Sequence, residues 1–110
     1  MRTVNYRALQ FLMRTVITKH YNRGNAYYRQ GKYKQAIASY QKAISINPDD
    51  ADAHYNLARV YVLNNEKALS IESLQKAITL DRRAIEASKT NSEFDNIRES
   101  SEFQQLINPK

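Results

Sequence analysis

The chain has 110 residues, a length that fits one domain. It contains two Gly, two Pro and no Cys, which argues against a many-stranded sheet and excludes disulfides and thiolate metal sites. Seventeen Lys or Arg against eleven Asp or Glu give a formal net charge of +6, and no apolar run is long enough to span a bilayer.

The charge is unevenly distributed along the chain. Residues 1–48 contain nine Lys or Arg and no acid, whereas residues 49–110 contain eight basic and eleven acidic residues. This asymmetry indicates a basic patch that could bind an anionic polymer or membrane weakly and in a salt-sensitive way. The alternative is that mixed surface charge serves solubility alone. We rank nucleic acid and anionic membrane below protein as partners.

The first sixteen residues bear on cellular location. Arg2, Arg7 and Arg14 interrupt them, so they lack the continuous apolar stretch of a secretory signal. They are rich in Arg and free of acid, as organelle transit peptides are, but they lack the usual enrichment in Ser. We therefore expect a cytoplasmic protein.

The same N-terminal segment has a helical pattern. Val4, Ala8, Leu12 and Val16 lie four residues apart, which predicts an amphipathic helix over residues 1–16. No Pro or Gly separates this helix from the residues that follow. It either forms a separate helix that covers the edge of the next unit, the interpretation we favour, or runs on into the next helix and projects an apolar stripe.

Turn residues divide the middle of the chain into four further helices. Gly31 can close a helix in the left-handed conformation, Pro48 cannot continue one, and Asp49 or Asp50 can cap the next. The pair Asn64-Asn65 stands where Gln30-Gly31 stands earlier, and Asn also tolerates the left-handed turn. The helices are predicted at 17–30, 33–46, 51–63 and 67–80. Such short turns require neighbouring helices to pack antiparallel.

These four helices form two copies of one unit. At an offset of 34 residues, ten positions are identical, including all of His20-Tyr21-Asn22 and Gln41-Lys42-Ala43-Ile44. A fixed period of this length indicates stacked units that bury their apolar faces against each other. The predicted core positions, at spacings of three and four, include Tyr27, Ala36, Ile37, Tyr40, Ala43, Ile44, Leu57, Ala58, Tyr61, Ile71, Leu74, Ala77 and Ile78.

A third unit begins and then departs from the pattern. A short helix is predicted at 83–89 and a last one at 101–107, capped by Ser100 or Ser101. Terminal units of repeat arrays are atypical because one of their faces meets water.

The repeated residues resemble the tetratricopeptide repeat, whose period is 34. The stretch Gly24-Asn25-Ala26-Tyr27-Tyr28-Arg29-Gln30-Gly31-Lys32-Tyr33 and the later Asn47-Pro48 carry the likeness in the first copy, and Tyr55-Asn56-Leu57-Ala58 carries it in the second. The resemblance covers residues 17–84. The segment from Ala87 to Phe103 is similar to the closing segment of some bacterial repeat proteins. Ser70 stands where the family has a core alanine, and we expect its hydroxyl to bond back to its own helix.

The resemblance implies an all-α fold, a short right-handed solenoid of antiparallel helix pairs. It divides the chain into an N-terminal extension (1–16), repeat 1 (17–50), repeat 2 (51–84) and a degenerate third unit with a capping helix (85–110). It also implies a concave groove, lined by the first helix of each pair, that binds a peptide segment of a partner protein. The groove candidates are Thr18, Tyr21, Asn22, Asn25, Tyr28, Arg29, Tyr55, Asn56, Arg59 and Leu63.

One subclass of the family holds the C-terminal carboxylate of heat-shock chaperones with two Asn and several cations. Asn25 and Asn56 match the two amides, but Tyr21, Glu86 and Thr90 stand where the cations belong. Without these cations a charge-assisted capture of that kind fails, so we do not expect this clamp.

No residue pattern points to an enzyme. His20 and His54 could share a metal, but no third ligand is evident, and we expect each to pack between helices in place of an aromatic ring. The cluster Asp49, Asp50 and Asp52 is better explained by helix capping than by calcium. We expect no catalytic residue, metal, cofactor or small-molecule substrate.

The sequence therefore favours a non-catalytic scaffold-like module that binds a protein or peptide of unknown identity. The first alternative is a self-assembling protein whose N-terminal helix drives dimers or longer stacks. The second is a weak binder of anionic polymers or membrane through the basic half of the chain.

Overall fold

The computed structural model describes residues 5–109. Over this range the chain forms six α-helices and one 3-10 helix, with no strand, which confirms the all-α prediction. The helices are α1 (Tyr6–Arg29), α2 (Tyr33–Ile46), α3 (Ala51–Leu63), α4 (Lys67–Leu80), α5 (Arg83–Thr90), the 3-10 segment (Ser92–Ile97) and α6 (Ser101–Ile107). None of the helices described combines the length and apolar character needed to cross a bilayer.

The two copies close their first helices in the same way. Gly31 has φ 73° and Asn65 has φ 62°, so both occupy the left-handed region. One residue further on, the N–H of Lys32 donates to the Tyr27 carbonyl at 2.9 Å, and the N–H of Glu66 donates to the Tyr61 carbonyl at 2.8 Å. This 6→1 bond is the Schellman closure, which turns the chain back for an antiparallel partner helix.

Polar side chains cap the starts of α1, α3 and α6. The carboxylate of Asp50 accepts from the backbone N–H of Asp52 at 3.0 Å and of Ala53 at 3.3 Å. The hydroxyl of Ser100 accepts from the N–H of Phe103 at 3.3 Å. The caps predicted for α3 and α6 are therefore confirmed. Asn5 caps α1 in the same manner, through the N–H of Ala8.

Two apolar clusters hold the helices together. The first lies between the repeats and consists of Ala36, Ile37, Tyr40, Leu57, Val60 and Tyr61. The second joins repeat 2 to the C-terminal segment and consists of Ala58, Val62, Leu74, Ile78, Ile85, Phe94, Ile97, Phe103 and Ile107. Phe94 and Phe103 have no exposed surface, so the degenerate third unit supplies the cover for the open face of repeat 2.

The N-terminal extension is not a separate helix. From Tyr6 to Arg29 α1 is continuous, so within the described residues the extension runs on into the first helix of repeat 1. Nothing in the sequence breaks the hydrogen-bond ladder between the two, and a helix folded back on repeat 1 would have needed a turn. Leu12 is 58% exposed and Val16 is 42% exposed. The favoured interpretation of a packed cover is wrong, and the projecting stripe is confirmed for the part of the extension that the structure describes.

Ser70 bonds to a neighbouring helix and not to its own. Its hydroxyl donates to the carbonyl of Ala58 on α3 at 2.7 Å, and the side chain is fully buried. The expected bond back along α4 is wrong, because α3 and α4 cross closely enough there to bring the Ala58 carbonyl within reach. The bond satisfies a hydroxyl that would otherwise be buried without a partner.

Candidate functional site

The ten predicted groove residues lie on the first helices of the two repeats, six on α1 and four on α3, and we call the side of these two helices that carries them the groove face. At its centre lies Arg59, which is half-buried. Its Nη2 donates to the Tyr28 hydroxyl at 2.8 Å and its Nη1 donates to Asn56 Oδ1 at 2.9 Å. The guanidinium also lies over the Tyr28 ring, 4.8 Å from its centroid, so one side chain links the two repeats.

Arg59 is paired with a carboxylate that comes from outside the repeats. Its Nε lies 2.5 Å from Oε1 of Glu93, in the 3-10 segment. The Tyr28 hydroxyl donates to the other carboxylate oxygen of Glu93, and Asn91 Nδ2 donates to Oε1 at 3.2 Å. Three donors from three parts of the chain therefore converge on one carboxylate. We call Arg59, Tyr28 and Asn91 the carboxylate cradle.

The cradle shifts the protonation equilibria of its members. Burial works to raise the pKa of Glu93, but the hydrogen bonds from Arg59 and Tyr28 and the charge of Arg59 outweigh it and hold that pKa below its ordinary value. Burial opposes the charge of Arg59 too, yet the bond to Glu93 raises the pKa of the guanidinium. Burial and the bond to Glu93 raise the pKa of the Tyr28 hydroxyl. Near neutral pH the site is a charged pair beside a neutral phenol.

A second set of bonds connects the groove face to the core of repeat 1. Asn56 Nδ2 donates to the Tyr21 hydroxyl at 2.6 Å, and the Tyr21 ring stands edge-on to Tyr40 with centroids 5.7 Å apart. The Tyr40 hydroxyl donates to Asn25 Oδ1 at 2.5 Å, and burial raises the pKa of Tyr40 to about 12. Two of the three asparagines assigned to the groove, Asn25 and Asn56, are therefore already engaged within the molecule.

The other predicted groove residues differ in their surroundings. Thr18, Asn22 and Arg29 are exposed. Tyr55 is half-buried, with its hydroxyl 3.2 Å from Asn91 Nδ2 and its ring edge-on to Phe94. Leu63 is half-buried and packs against the second apolar cluster.

Two cavities flank α3 on the groove face. One of about 220 Å³ lies between α1 and α3, lined by Ile17, Thr18, Tyr21, Asp50 and Asp52. The other, of about 330 Å³, lies between α3 and α5, lined by Ala51, Asp52, Tyr55, Asp81, Arg83, Ala84 and Ala87. These two cavities are therefore bordered mainly by small side chains and carboxylates.

Asn91 and Glu93 were not among the site residues predicted from the sequence. The local sequence does indicate one contact of these residues, since an Asn readily accepts a hydrogen bond from the backbone N–H two residues later. Asn91 Oδ1 accepts from the Glu93 N–H at 3.0 Å and so caps the 3-10 segment. Nothing local, however, indicates that Glu93 would meet Arg59, 34 residues away. Arg98 braces the segment by donating to the Lys89 and Asn91 carbonyls, each at 2.7 Å.

The two histidines, both predicted to pack between helices, differ in burial, and His20 is only half-buried. His54 is buried and its Nε2 lies 2.8 Å from the Pro48 carbonyl. Burial, followed by the charges of Lys42, Arg23 and Lys19, lowers the pKa of His20. Among residues 5–109 no group of three His, Cys, Asp or Glu side chains lies close enough to hold a metal ion.

Comparison with known families agrees with this architecture. A family model described as TPR repeat matches residues 24–65, and a second, described as tetratricopeptide repeat, matches residues 51–89. Together the matches span more than half of the chain, which therefore belongs to the tetratricopeptide repeat family. Proteins of this family are generally non-catalytic and mediate protein–protein interactions. No curated protein matches the sequence significantly.

Proposed function

We propose that this protein is a non-catalytic module that binds a peptide segment of a partner protein along the groove face. The supporting observation is a polar stripe on α1. Thr18, Asn22, Asn25 and Arg29 follow each other at spacings of four, three and four residues, so they share one side of the helix. The exposed three, Thr18, Asn22 and Arg29, form no side-chain hydrogen bond within residues 5–109, which leaves them free to bond an extended peptide backbone.

The aromatic residues beside this stripe complete the surface. Tyr21, Tyr28 and Tyr55 are half-buried and held by hydrogen bonds at their hydroxyls. A fixed tyrosine ring offers contact area at little loss of side-chain entropy. Two repeats bury little surface per partner, so we expect a modest affinity.

A matched pair of variants tests this proposal. Peptides are first selected from a displayed library of random twelve-residue sequences on the full chain. We expect Asn22→Glu, on the polar stripe, to weaken the binding of the selected peptides at least tenfold. Gln35→Glu, an equally exposed position on α2, adds the same charge elsewhere and should leave binding unchanged. Equal affinity of both variants and the wild type would show that the groove assignment is wrong.

The projecting part of α1 supports a second candidate function, self-association. Tyr6, Leu9, Met13 and Val16 are between 42% and 73% exposed and lie at spacings of three, four and three residues, the pattern of a coiled-coil seam. Arg7 directly follows Tyr6 in the sequence. Because an α-helix turns by about 100° per residue, Arg7 lies to one side of the stripe, and the four residues of the stripe are all uncharged.

Sedimentation of the wild type over a hundredfold range of concentration tests self-association. Leu9→Glu places a charge on the stripe and should shift any dimer to monomer. A wild type that stays monomeric at every concentration rejects this candidate and leaves the peptide-binding proposal intact.

A further inference from the structure

The ion pair between Arg59 and Glu93 differs from the other ion pairs in the described part of the chain. The two side chains are 26% and 18% exposed. In each of the other four pairs, at least one side chain is 60% or more exposed. An exposed pair contributes little because water screens it, whereas a partly buried pair with converging donors selects one geometry.

The fold does not need this pair to hold the 3-10 segment in place. Phe94 and Ile97 anchor the segment in the second apolar cluster, with 0% and 5% exposure. Arg98 adds three hydrogen bonds, to the backbone carbonyls of Ser88, Lys89 and Asn91, where the chain leaves α5 and enters the segment. The Glu93 side chain therefore extends from a segment that is already fixed, and it can leave Arg59 by rotating about its own bonds.

The site that receives Glu93 belongs to the groove face. Tyr28, Asn56 and Arg59 come from the repeats, and Asn56 orients the guanidinium through Nη1. The acceptor, Glu93, and one of its three donors, Asn91, come from beyond the matched repeats, which end at residue 89. The arrangement is that of a binding site whose ligand is part of the same chain.

We infer that Arg59, Tyr28 and Asn91 form a carboxylate-binding site, that Glu93 fills it in the free protein, and that an acidic side chain of the bound peptide takes the place of Glu93. This inference rests on the proposed function and names the chemistry of the ligand, an acidic peptide.

The exchange has a direct consequence for affinity. Glu93 is tethered, so its effective concentration at the cradle is on the order of millimolar or above. An incoming carboxylate binds only those molecules from which Glu93 has moved away. Its apparent affinity is therefore the intrinsic affinity of the empty site multiplied by the fraction of molecules in which the site is empty. Replacing Glu93 by an uncharged residue should therefore strengthen the binding of acidic peptides and leave the binding of peptides without an acid unchanged.

The first experiment tests the carboxylate site without a peptide. In the full chain, Glu93→Ala leaves the cradle empty, and thermal unfolding is followed at neutral pH in sodium acetate and in sodium chloride at equal ionic strength. We expect acetate to raise the midpoint of Glu93→Ala by about 2 °C when its concentration equals its Kd. The wild type, whose cradle is filled, should show no such rise.

A double variant gives the control for that experiment. Glu93→Ala with Arg59→Leu lacks the cation, and the rise in acetate should disappear. Equal shifts in the wild type and both variants would mean that acetate acts on the whole protein, and the inference would fall. Glu93→Gln keeps the size of the side chain, and circular dichroism of it and of Glu93→Ala shows whether each remains folded.

The second experiment tests the exchange. Random twelve-residue peptides displayed on phage are selected on the full chain carrying Glu93→Gln, and each is then measured on the wild type. We expect the selected peptides to contain an Asp or Glu at one position, to bind Glu93→Gln at least tenfold more tightly than the wild type, and to lose that preference when the acid is changed to its amide.

The outcomes separate the two claims. If the selected peptides bind through the polar stripe of α1 but carry no required acid, the exchange is refuted and the peptide-binding function stands. If no peptide binds either protein, the peptide-binding function and the exchange both fall, while the acetate experiment still decides whether the cradle binds a carboxylate.

Discussion

Gly24 on α1 faces the ring of Tyr40 on α2 so closely that a Cβ at Gly24 would lie 2.6 Å from Tyr40 Cε1. This approach sets the spacing between the two helices of repeat 1. The helix backbone itself does not require the glycine there, because Gly24 lies inside α1 at an ordinary helical φ.

The first prediction concerns this contact. Gly24→Ala should lower the free energy of unfolding by about 1–3 kcal/mol, because the added methyl must displace the Tyr40 ring. In an uncrowded helix the same change would stabilise the protein by about 0.5–1 kcal/mol. Urea denaturation therefore distinguishes the two cases by the sign of the change in the free energy of unfolding. A gain in stability for Gly24→Ala would contradict the close contact between Gly24 and the Tyr40 ring.

The second prediction concerns Tyr40 itself. Tyr40→Ala should cost about 3 kcal/mol or more, since the ring fills the first apolar cluster. Tyr40→Phe keeps the ring but leaves Asn25 Oδ1 without its donor, and should cost about 1–2 kcal/mol. A double-mutant cycle with Asn25→Ala measures the bond, and a coupling near zero would show that the bond contributes nothing to stability.

The third prediction contrasts two phenylalanines. Phe94→Ala should destabilise the protein by about 3–5 kcal/mol, because the ring is fully buried between repeat 2 and the closing segment. Phe11→Ala removes the same atoms from a ring that is 70% exposed and should change stability by less than about 0.5 kcal/mol. Similar costs for both variants in chemical denaturation would exclude the closing segment from the core.

The fourth prediction concerns pH. The pKa of Glu93 is lower in the folded state than its ordinary value of 4.5, so the carboxylate contributes stability that is complete above about pH 4.5 and is lost as the pH falls through the folded-state pKa. Denaturation measured from pH 7 to pH 3 should therefore show a smaller loss for Glu93→Gln than for the wild type. The pKa of Asp81 is also lowered, mainly by its hydrogen bonds from Arg83, so Asp81 contributes to the same loss of stability at low pH. Asp81→Asn in the wild type and in Glu93→Gln is therefore the control that separates the two carboxylates.

The fifth prediction uses the equivalence of the two Schellman turns. Asn65 holds the left-handed position that Gly31 holds in the first copy. Asn65→Gly removes the remaining Cβ strain and should stabilise the protein by up to about 1 kcal/mol, or a few degrees in Tm. Its neighbour Asn64 has φ −92°, and Asn64→Gly should destabilise by loss of backbone entropy. A melting experiment that ranks the two variants the other way would contradict the turn geometry.

Repetition made most of the fold predictable. The turn residues of each copy placed α2, α3 and α4 with the bounds that the structure has, and helical spacing placed Tyr40, Ala58 and Leu74 in the core. These features depend on residues close together in the chain, since turn conformation, capping and helical periodicity are local. Of the two interpretations left open for the N-terminal extension, the continuous helix is the one observed, and the absence of a helix breaker was the signal for it.

The predictions that failed, or were never made, involve contacts between elements. Ser70 found an acceptor on α3, because the distance between two crossing helices, and not the sequence around the serine, decides which carbonyl is nearer.

The amino-acid sequence alone specifies the helix pairs, their turns and the apolar faces that stack. Only the three-dimensional packing decided that Glu93 would lie against Arg59 and Tyr28, because the carboxylate and its donors are brought together by the docking of Phe94 and Ile97 on repeat 2. An attraction between charges falls steeply once water can enter between them, so it depends on where the core has placed them and not on their order in the chain.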